Sequence, residues 1–145
     1  MNIYERLKED HRRQEILMRQ VMETSGDSPE RRNLWTRLKA EIEAHAAAEE
    51  QTFYAALIRK PDGQAEARHS VAEHKDVADI VDELDEMDMG SGAWLQKFET
   101  LRDGLLHHVS EEEDEIFSKA RQLIDDDRAN AMTERFDERK DAELH

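Results

Sequence analysis

The sequence predicts an all-α protein: an up-down-up-down antiparallel four-helix bundle with a short C-terminal helix. Charged residues make up 39% of the chain and apolar residues 37%, with five glycines and two prolines, which favours long amphipathic helices over sheets. Apolar residues recur in alternating steps of three and four, the period of one helix face. Glycine, proline and turn residues cluster at short breaks, which implies that consecutive helices run antiparallel.

The first two predicted helices cover residues 3–24 and 29–59. Gly26 suits the C-terminal end of the first helix, and Pro29 suits the first turn of the second. The apolar stripe of the first helix includes His11. The stripe of the second helix contains Trp35, Leu38, Ile42, His45, Glu49, Thr52 and Ala56.

The third and fourth predicted helices cover residues 64–87 and 93–124, and Ser91 can cap the fourth. His74 lies on the stripe of the third helix, and His108 and Glu112 lie on the stripe of the fourth. Residues 1–125 are expected to form the bundle, and residues 126–145 a short helix followed by a solvated or frayed acidic tail.

Composition excludes several classes of function. The net charge of −15 argues against nucleic acid and anionic membranes as partners. The absence of cysteine excludes disulfides, thiolate zinc sites and cysteine-bound iron–sulfur clusters. The chain starts without an apolar signal region, and no apolar run could span a membrane, so we expect a soluble cytoplasmic protein.

One pattern occurs twice: His45 precedes Glu49, and His108 precedes Glu112, each by four residues on an apolar stripe. A buried carboxylate without a partner costs several kcal/mol. A single histidine on such a stripe is usually a core residue, and a single His–Glu pair usually lies on the surface. The combination of both pairs with two further histidines instead predicts a site for two cations. Its predicted ligands are His11, His45, Glu49, His74, His108 and Glu112.

The helix lengths support convergence of these ligands. At 1.5 Å per residue, the histidines lie roughly 20–24 Å from the connecting turns, so all four helices present them at one depth. Nitrogen and carboxylate donors in this number suit an iron or manganese pair better than a single tetrahedral zinc. Glu49 and Glu112 would bridge the ions, with His11 and His45 on one ion and His74 and His108 on the other.

Residues near the predicted ligands have weaker assignments. Tyr54 is expected to pack in the core, although its phenol could reach a metal, and the small Ser70 would leave room for water or an exogenous ligand. His69 and His107 are expected on the surface or, for His107, beside a ligand. Three acidic residues could hydrogen-bond ligating imidazoles, but solvated positions are favoured for them: Glu50, Glu73 and Glu113.

The ordered motifs resemble the hemerythrin-like cation-binding domain over residues 3–124. The resemblance rests on the ligand order and its surroundings: Glu9-Asp10-His11, His45 through Tyr54, Glu73-His74, and His108 through Phe117. It implies a non-haem di-iron centre with an oxo or hydroxo bridge, in which manganese or zinc could replace the iron. Ser70 stands where oxygen-carrying hemerythrins have a fifth histidine, and Glu112 replaces an aspartate. Glu112 lies four residues after His108, whereas those proteins have an aspartate five residues after the histidine. Both differences resemble the bacterial branch with six protein ligands.

Two kinds of function are expected from this resemblance. In the first, the centre binds or transforms peroxide, oxygen or nitric oxide under oxidative or nitrosative stress, with catalase-like activity as one form and no catalytic residues beyond the metal ligands. In the second, the protein senses iron or oxygen, and a partner reads its metal-dependent fold. Reversible carriage of oxygen or nitric oxide is a weaker alternative. A monomer or weak homodimer is expected.

Overall fold

The computed structural model describes all residues, Met1–His145, and consists of helices without strands. Five helices follow one another along the chain and form an antiparallel bundle. They are α1 (Ile3–Met22), α2 (Pro29–Glu49), α3 (Gln64–Glu86), α4 (Gly92–Glu111) and α5 (Asp126–Leu144). Helix α2 continues through a π-helical segment, Glu50–Tyr54, to Ala55–Leu57, and α4 continues through a second π-helical segment, Glu112–Ile116, to Phe117–Leu123. The predicted all-α fold and its four main helices are confirmed.

Local sequence explains where the helices begin. Asn2, Ser28, Ser91 and Asp125 each accept a hydrogen bond from the backbone N–H three residues later, which satisfies a free donor of the first turn. Before α2, Gly26 adopts a φ of 60°, a conformation that disfavours residues with a Cβ.

The apolar interior is divided into two clusters, one on each side of the histidine level. The first core includes Leu7 of α1 and Phe53 of the α2 extension, and the second core includes Met18 of α1 and Ile42 of α2. Along each of the first four helices, one core precedes the histidine level and the other follows it. The polar layer is therefore enclosed between two apolar regions that exclude water.

Helix α5 differs from the expectation in its length. It runs from Asp126 to Leu144 and packs along α2 and α1, where a short helix and an acidic tail were predicted. Phe136 is buried in the first core, and Lys140 is only 3% exposed because carboxylates of α1 and α2 pair with it. These contacts keep the charged C-terminal segment helical. None of the five helices combines the length and apolar character needed to cross a bilayer.

Candidate metal centre

Four helices bring the six predicted ligands together. Helix α1 contributes His11, and α3 contributes His74. The remaining four come from α2 and from α4 with its extension: His45, Glu49, His108 and Glu112. Five of the six are buried, and the side chain of His74 is 9% exposed. Residues separated by up to 101 positions in sequence therefore converge in one layer.

The ligands form two groups of four. One group combines His11 and His45 with both glutamates, and the other combines His74 and His108 with the same glutamates. Within each group, the potential ligand atoms all lie within 4.8 Å of one another. Both carboxylates therefore occupy positions between the groups, and the histidines divide in the way that the sequence predicts.

The inner ring nitrogens lie close to the shared carboxylates, and several of these buried atoms have no hydrogen-bond partner. His11 Nε2 lies 3.1 Å from Glu112 Oε1, and His74 Nε2 lies 3.1 Å from Glu49 Oε1. His11 Nε2, both oxygens of Glu49 and one oxygen of Glu112 are buried without a hydrogen-bond partner. Buried polar atoms seldom remain unpaired, and shared cations would satisfy all of them.

The outer ring nitrogen of every ligand histidine pairs with a carboxylate. His11 Nδ1 donates to Glu113 (2.6 Å) and His45 Nδ1 donates to Asp10 (2.8 Å). Because an ionised carboxylate only accepts, each Nδ1 carries a proton, and Nε2 is the nitrogen that a metal could bind. The same arrangement links His74 to Glu50 (2.9 Å) and His108 to Glu73 (2.8 Å).

These four carboxylates correct the sequence analysis. Solvated positions were favoured for Glu50, Glu73 and Glu113, and that preference was wrong. Asp10 was given no role at all. A signal exists in the sequence, because each acid stands next to a predicted ligand. Asp10 and Glu73 directly precede His11 and His74, and each pairs with the ligand histidine of the following helix. Glu50 and Glu113 directly follow Glu49 and Glu112, and they pair with His74 and His11, respectively.

Charge pairing shifts the pKa values of the ligands in the metal-free protein. Burial alone would lower the pKa of His11, but the nearby carboxylates of Glu112 and Glu113 raise it to about 10. Burial would also lower the pKa of His74, but the nearby carboxylates of Glu49 and Glu50 raise it to about 10. Burial would raise the pKa of Glu112, but the adjacent imidazoles of His108 and His11 hold it well below its usual value. Protons thus occupy part of the space that cations would take, and metal binding must release them.

Tyr54 reaches the centre through the first π-helical segment. In a regular α-helix a residue five positions after Glu49 would point away from it, but π-helical i→i+5 bonding turns Tyr54 inward. Its hydroxyl donates to Glu112 Oε2, so the expected core packing is accompanied by a polar contact to a ligand. Burial and the charges of Glu112 and Glu49 raise the pKa of Tyr54 well above its usual value. The phenol therefore remains a donor.

Ser70 and the remaining histidines lie outside the ligand groups. Ser70 is fully buried on α3, and its hydroxyl has no hydrogen-bond partner. His107 is exposed beside Glu111. His69 is also exposed and lies 3.0 Å from Glu111, as expected for a surface histidine.

A cavity of about 60 Å³ adjoins the four imidazoles. Its inner wall is largely aliphatic and includes Ile42, Val77, Val81 and Leu105. The side chains of Glu43 and Ala78 mark its outer edge, where α2 and α3 meet solvent. The cavity exceeds the volume that one water molecule needs, so a diatomic molecule or peroxide fits beside the ligands.

The helix pair α1–α2 has an additional charged network. Asp10 is completely buried, and its Oδ1 accepts from Arg6 (2.7 Å) and Lys140 (2.8 Å) while its Oδ2 accepts from His45. Hydrogen bonds from these three residues hold the pKa of Asp10 far below its usual value, against the opposing effect of burial. Lys140 also pairs with Glu41 of α2 (2.9 Å), and it is connected to the centre through Asp10, the partner of His45.

Comparison with known families decides the relationship of this chain. The family model of the hemerythrin HHE cation binding domain matches residues 2–120. The chain belongs to this family. No curated protein sequence matches it. Among solved structures, it is similar to a hemerythrin HHE cation binding domain-containing protein from Mycobacterium kansasii, a homologue of Rv2633c, with 25% identity and a TM-score of 0.89. The match covers 99% of this chain and 88% of that chain.

Membership in the hemerythrin HHE family establishes a cation-binding domain, and the histidine–glutamate groups are the candidate ligands. The family match ends before α5, whereas the similarity to the Mycobacterium kansasii structure includes that helix. The C-terminal helix of this hemerythrin-like chain thus lies outside the matched family domain, and its Lys140 contacts Asp10, the hydrogen-bond partner of His45.

Proposed function

We propose that this hemerythrin-like protein holds two iron ions and uses them to bind or transform peroxide, oxygen or nitric oxide under oxidative or nitrosative stress. His11 and His45 would hold one ion, and His74 and His108 the other. Glu49 and Glu112 would bridge the two ions. Disproportionation of peroxide, in which two molecules give one oxygen and two waters, is the enzymatic form of this proposal.

The donor set supports an iron pair. Four imidazole nitrogens and two carboxylates exceed the needs of a single tetrahedral zinc, and calcium and magnesium prefer oxygen donors throughout. Mixed nitrogen and oxygen donors in a helix bundle suit iron or manganese. When bound, an iron pair supplies reversible one-electron changes at each ion and open positions for a small ligand.

The observation that carries the proposal is the cavity of about 60 Å³ on the imidazole side of the centre. A purely structural metal site is usually closed by its protein ligands. Here all four histidines border a space that is lined by aliphatic side chains and connected to the surface between α2 and α3. A small ligand can therefore approach the centre, while larger reductants are excluded by the size of the cavity.

Hydrogen bonds from surrounding residues hold the candidate ligands in fixed orientations. The four Nδ1–carboxylate hydrogen bonds fix the tautomer and ring orientation of the histidines. Tyr54 stays protonated and restrains one oxygen of Glu112, which leaves the other oxygen facing His11. These contacts keep the carboxylate in position when a ligand enters the cavity.

Metal content, an optical spectrum and peroxide turnover test the proposal. Aerobically purified protein should contain two iron ions per chain and absorb as an oxo-bridged ferric pair, and it should evolve oxygen from peroxide. The adjacent pair His108→Ala and His107→Ala provides a matched control, because only His108 belongs to a ligand group. Equal iron content and equal turnover in both variants would reject the proposal.

A metal-dependent sensor is a second candidate, favoured by the unpaired buried oxygens of Glu49. Without cations these atoms disfavour the closed bundle, so metal binding is coupled to folding. In a sensor, the iron-loaded protein melts at a higher temperature than the metal-free protein and protects amides of α1 and α3 from exchange. Identical melting and identical exchange in the two forms would exclude sensing.

We further propose that the protein is a cytoplasmic monomer or weak homodimer whose partner is a small ligand. The net charge of −15 supports solubility and disfavours binding to nucleic acid. Light scattering over a range of concentrations tests the oligomeric state. A stable higher oligomer at micromolar concentration would contradict it.

A further inference from the structure

Gln14 is a buried polar residue of the cavity that belongs to neither ligand group. It lies almost one turn after His11 on α1 and is 4% exposed. Its side chain borders the same cavity as the four imidazoles, and its amide nitrogen Nε2 is buried without a hydrogen-bond partner. An amide in such a position is destabilising unless another group pairs with it.

The surroundings of Gln14 offer no protein acceptor for this amide. The nearby inner wall of the cavity is aliphatic, and Glu43, which carries the other non-histidine polar side chain of the lining, is exposed at the outer edge. The carboxylates that pair with the histidines bind Nδ1 atoms on the outer side of the rings. The cavity therefore combines a largely apolar wall, the imidazoles and one free amide donor.

We propose that Gln14 donates a hydrogen bond from Nε2 to a small ligand held in this cavity, and so selects ligands that present an acceptor atom away from the metal pair. This inference rests on the proposed function. Azide, hydroperoxide and diatomic molecules that gain negative charge on binding have such an atom, whereas a ligand without a second heavy atom does not. Because the amide is neutral, its ability to donate does not change with pH.

Azide binding to the iron-loaded protein tests the role of Gln14 without measuring turnover. Gln14→Leu preserves most of the side-chain volume and removes the donor, and Gln14→Glu replaces the donor with an acceptor. Optical titration should show that both variants bind azide about ten- to one-hundredfold more weakly, the effect of one hydrogen bond to a charged ligand. The azide stretching frequency should shift in both variants. Met18→Leu, on the same helix in the second core, should bind azide as the unchanged protein does.

Thermal melting separates ligand binding from a structural role. Without azide, Gln14→Leu should melt at the same or a higher temperature, because a buried amide without a protein partner is replaced by an apolar side chain. The rise in melting temperature caused by azide should be smaller in this variant than in the unchanged protein. A large loss of stability without azide would show that Gln14 is structural and would overturn the inference.

The two proposals fail in different ways. A protein that takes up no iron contradicts the proposed function. A protein that takes up two iron ions and binds azide equally with glutamine, leucine or glutamate at position 14 keeps the proposed function and overturns the role of Gln14.

Discussion

The helix pairs α1–α2 and α3–α4 contribute equivalent ligands but have different surroundings. Each pair places one histidine on its first helix and a histidine and glutamate on its second. The acid that supports the second histidine is completely buried in the first pair, where Asp10 contacts Arg6 and Lys140. In the second pair the corresponding Glu73 is 19% exposed and lies near the exposed His69.

This difference shows that the contacts among the six candidate ligands can be the same in both pairs while the carboxylates that hydrogen-bond the outer nitrogens of the histidines have different surroundings. The inner arrangement repeats because both groups share the same two carboxylates. The hydrogen bonds that support the histidines from outside differ because α5 packs mainly along the first pair, on α1 and α2. We therefore expect the His11–His45 position to hold its ion more tightly and the His74–His108 position to exchange its ion more readily.

The largest effect is expected when a carboxylate that belongs to both ligand groups is removed. Glu49→Gln takes away a carboxylate that belongs to both ligand groups, so binding of both ions should weaken and iron should fall from two ions to fewer than one per chain. Elemental analysis of the purified protein measures this change. Glu111→Gln, directly before the other shared glutamate and outside both groups, should retain two ions. Loss of one ion only in Glu49→Gln would show that this carboxylate does not bridge.

The matched variants Asp10→Asn and Glu73→Gln test the unequal support. Asp10→Asn leaves the buried Lys140 and the partly buried Arg6 without a charged partner on α1, so the free energy of unfolding should fall by about 3 kcal/mol. Glu73→Gln affects a partly exposed pair and should cost about 1 kcal/mol or less. Urea unfolding of the metal-free proteins measures both values. Similar losses would contradict the proposed asymmetry.

Raising the pH should lower the stability of the metal-free protein, because each ligand group contains a histidine with a raised pKa. The pKa values of His11 and His74 are about 10 in the folded protein and 6.5 ordinarily. Since the folded values are higher, protonation stabilises the fold fully below pH 6.5, and this contribution is lost as the pH rises towards 10. Calorimetry should show the melting temperature falling by several degrees between pH 6.5 and 9.5. In the iron-loaded protein, where cations replace the protons, the change over this range should be smaller.

The smallest expected effect concerns the connection between α5 and the centre. Lys140→Met removes one of three donors to Asp10 but leaves Arg6 and His45 in place. Iron binding at the His11–His45 position should weaken by less than about tenfold, while the other position should be unaffected. Competition with a chelator, followed optically, resolves the two ions. Lys75→Met, at an exposed lysine of α3, should change neither position.

The fold was predictable from sequence because amphipathic periodicity and the short breaks are local signals. The convergence of the histidines was predictable because equal distances from the turns place residues at one depth, although whether they bind metal stays a prediction. The π-helical segments were not predictable, since no residue in Glu50–Tyr54 or Glu112–Ile116 differs in kind from ordinary helix residues.

The length of α5 was missed for a different reason. The segment around Lys140 looked solvated because it is rich in charge, yet Met132, Phe136 and Lys140 continue a four-residue spacing. That spacing places the lysine on the buried face of α5. The sequence contained the signal, but the carboxylates that compensate its charge come from distant helices.

The π-helical segments also set a constraint on chain length. Each behaves as one residue inserted into an α-helix directly at or after a glutamate shared by the two ligand groups. Deleting a single residue, such as the exposed Gln51, would therefore leave a regular α-helix in which Tyr54 stands four positions after Glu49 and keeps its inward direction. Deleting a second residue would rotate everything downstream by about 100° and would turn Phe53 and Tyr54 out of the interior. Natural length variation should therefore be common in the connecting turns but limited to this one residue between each shared glutamate and the end of its helix.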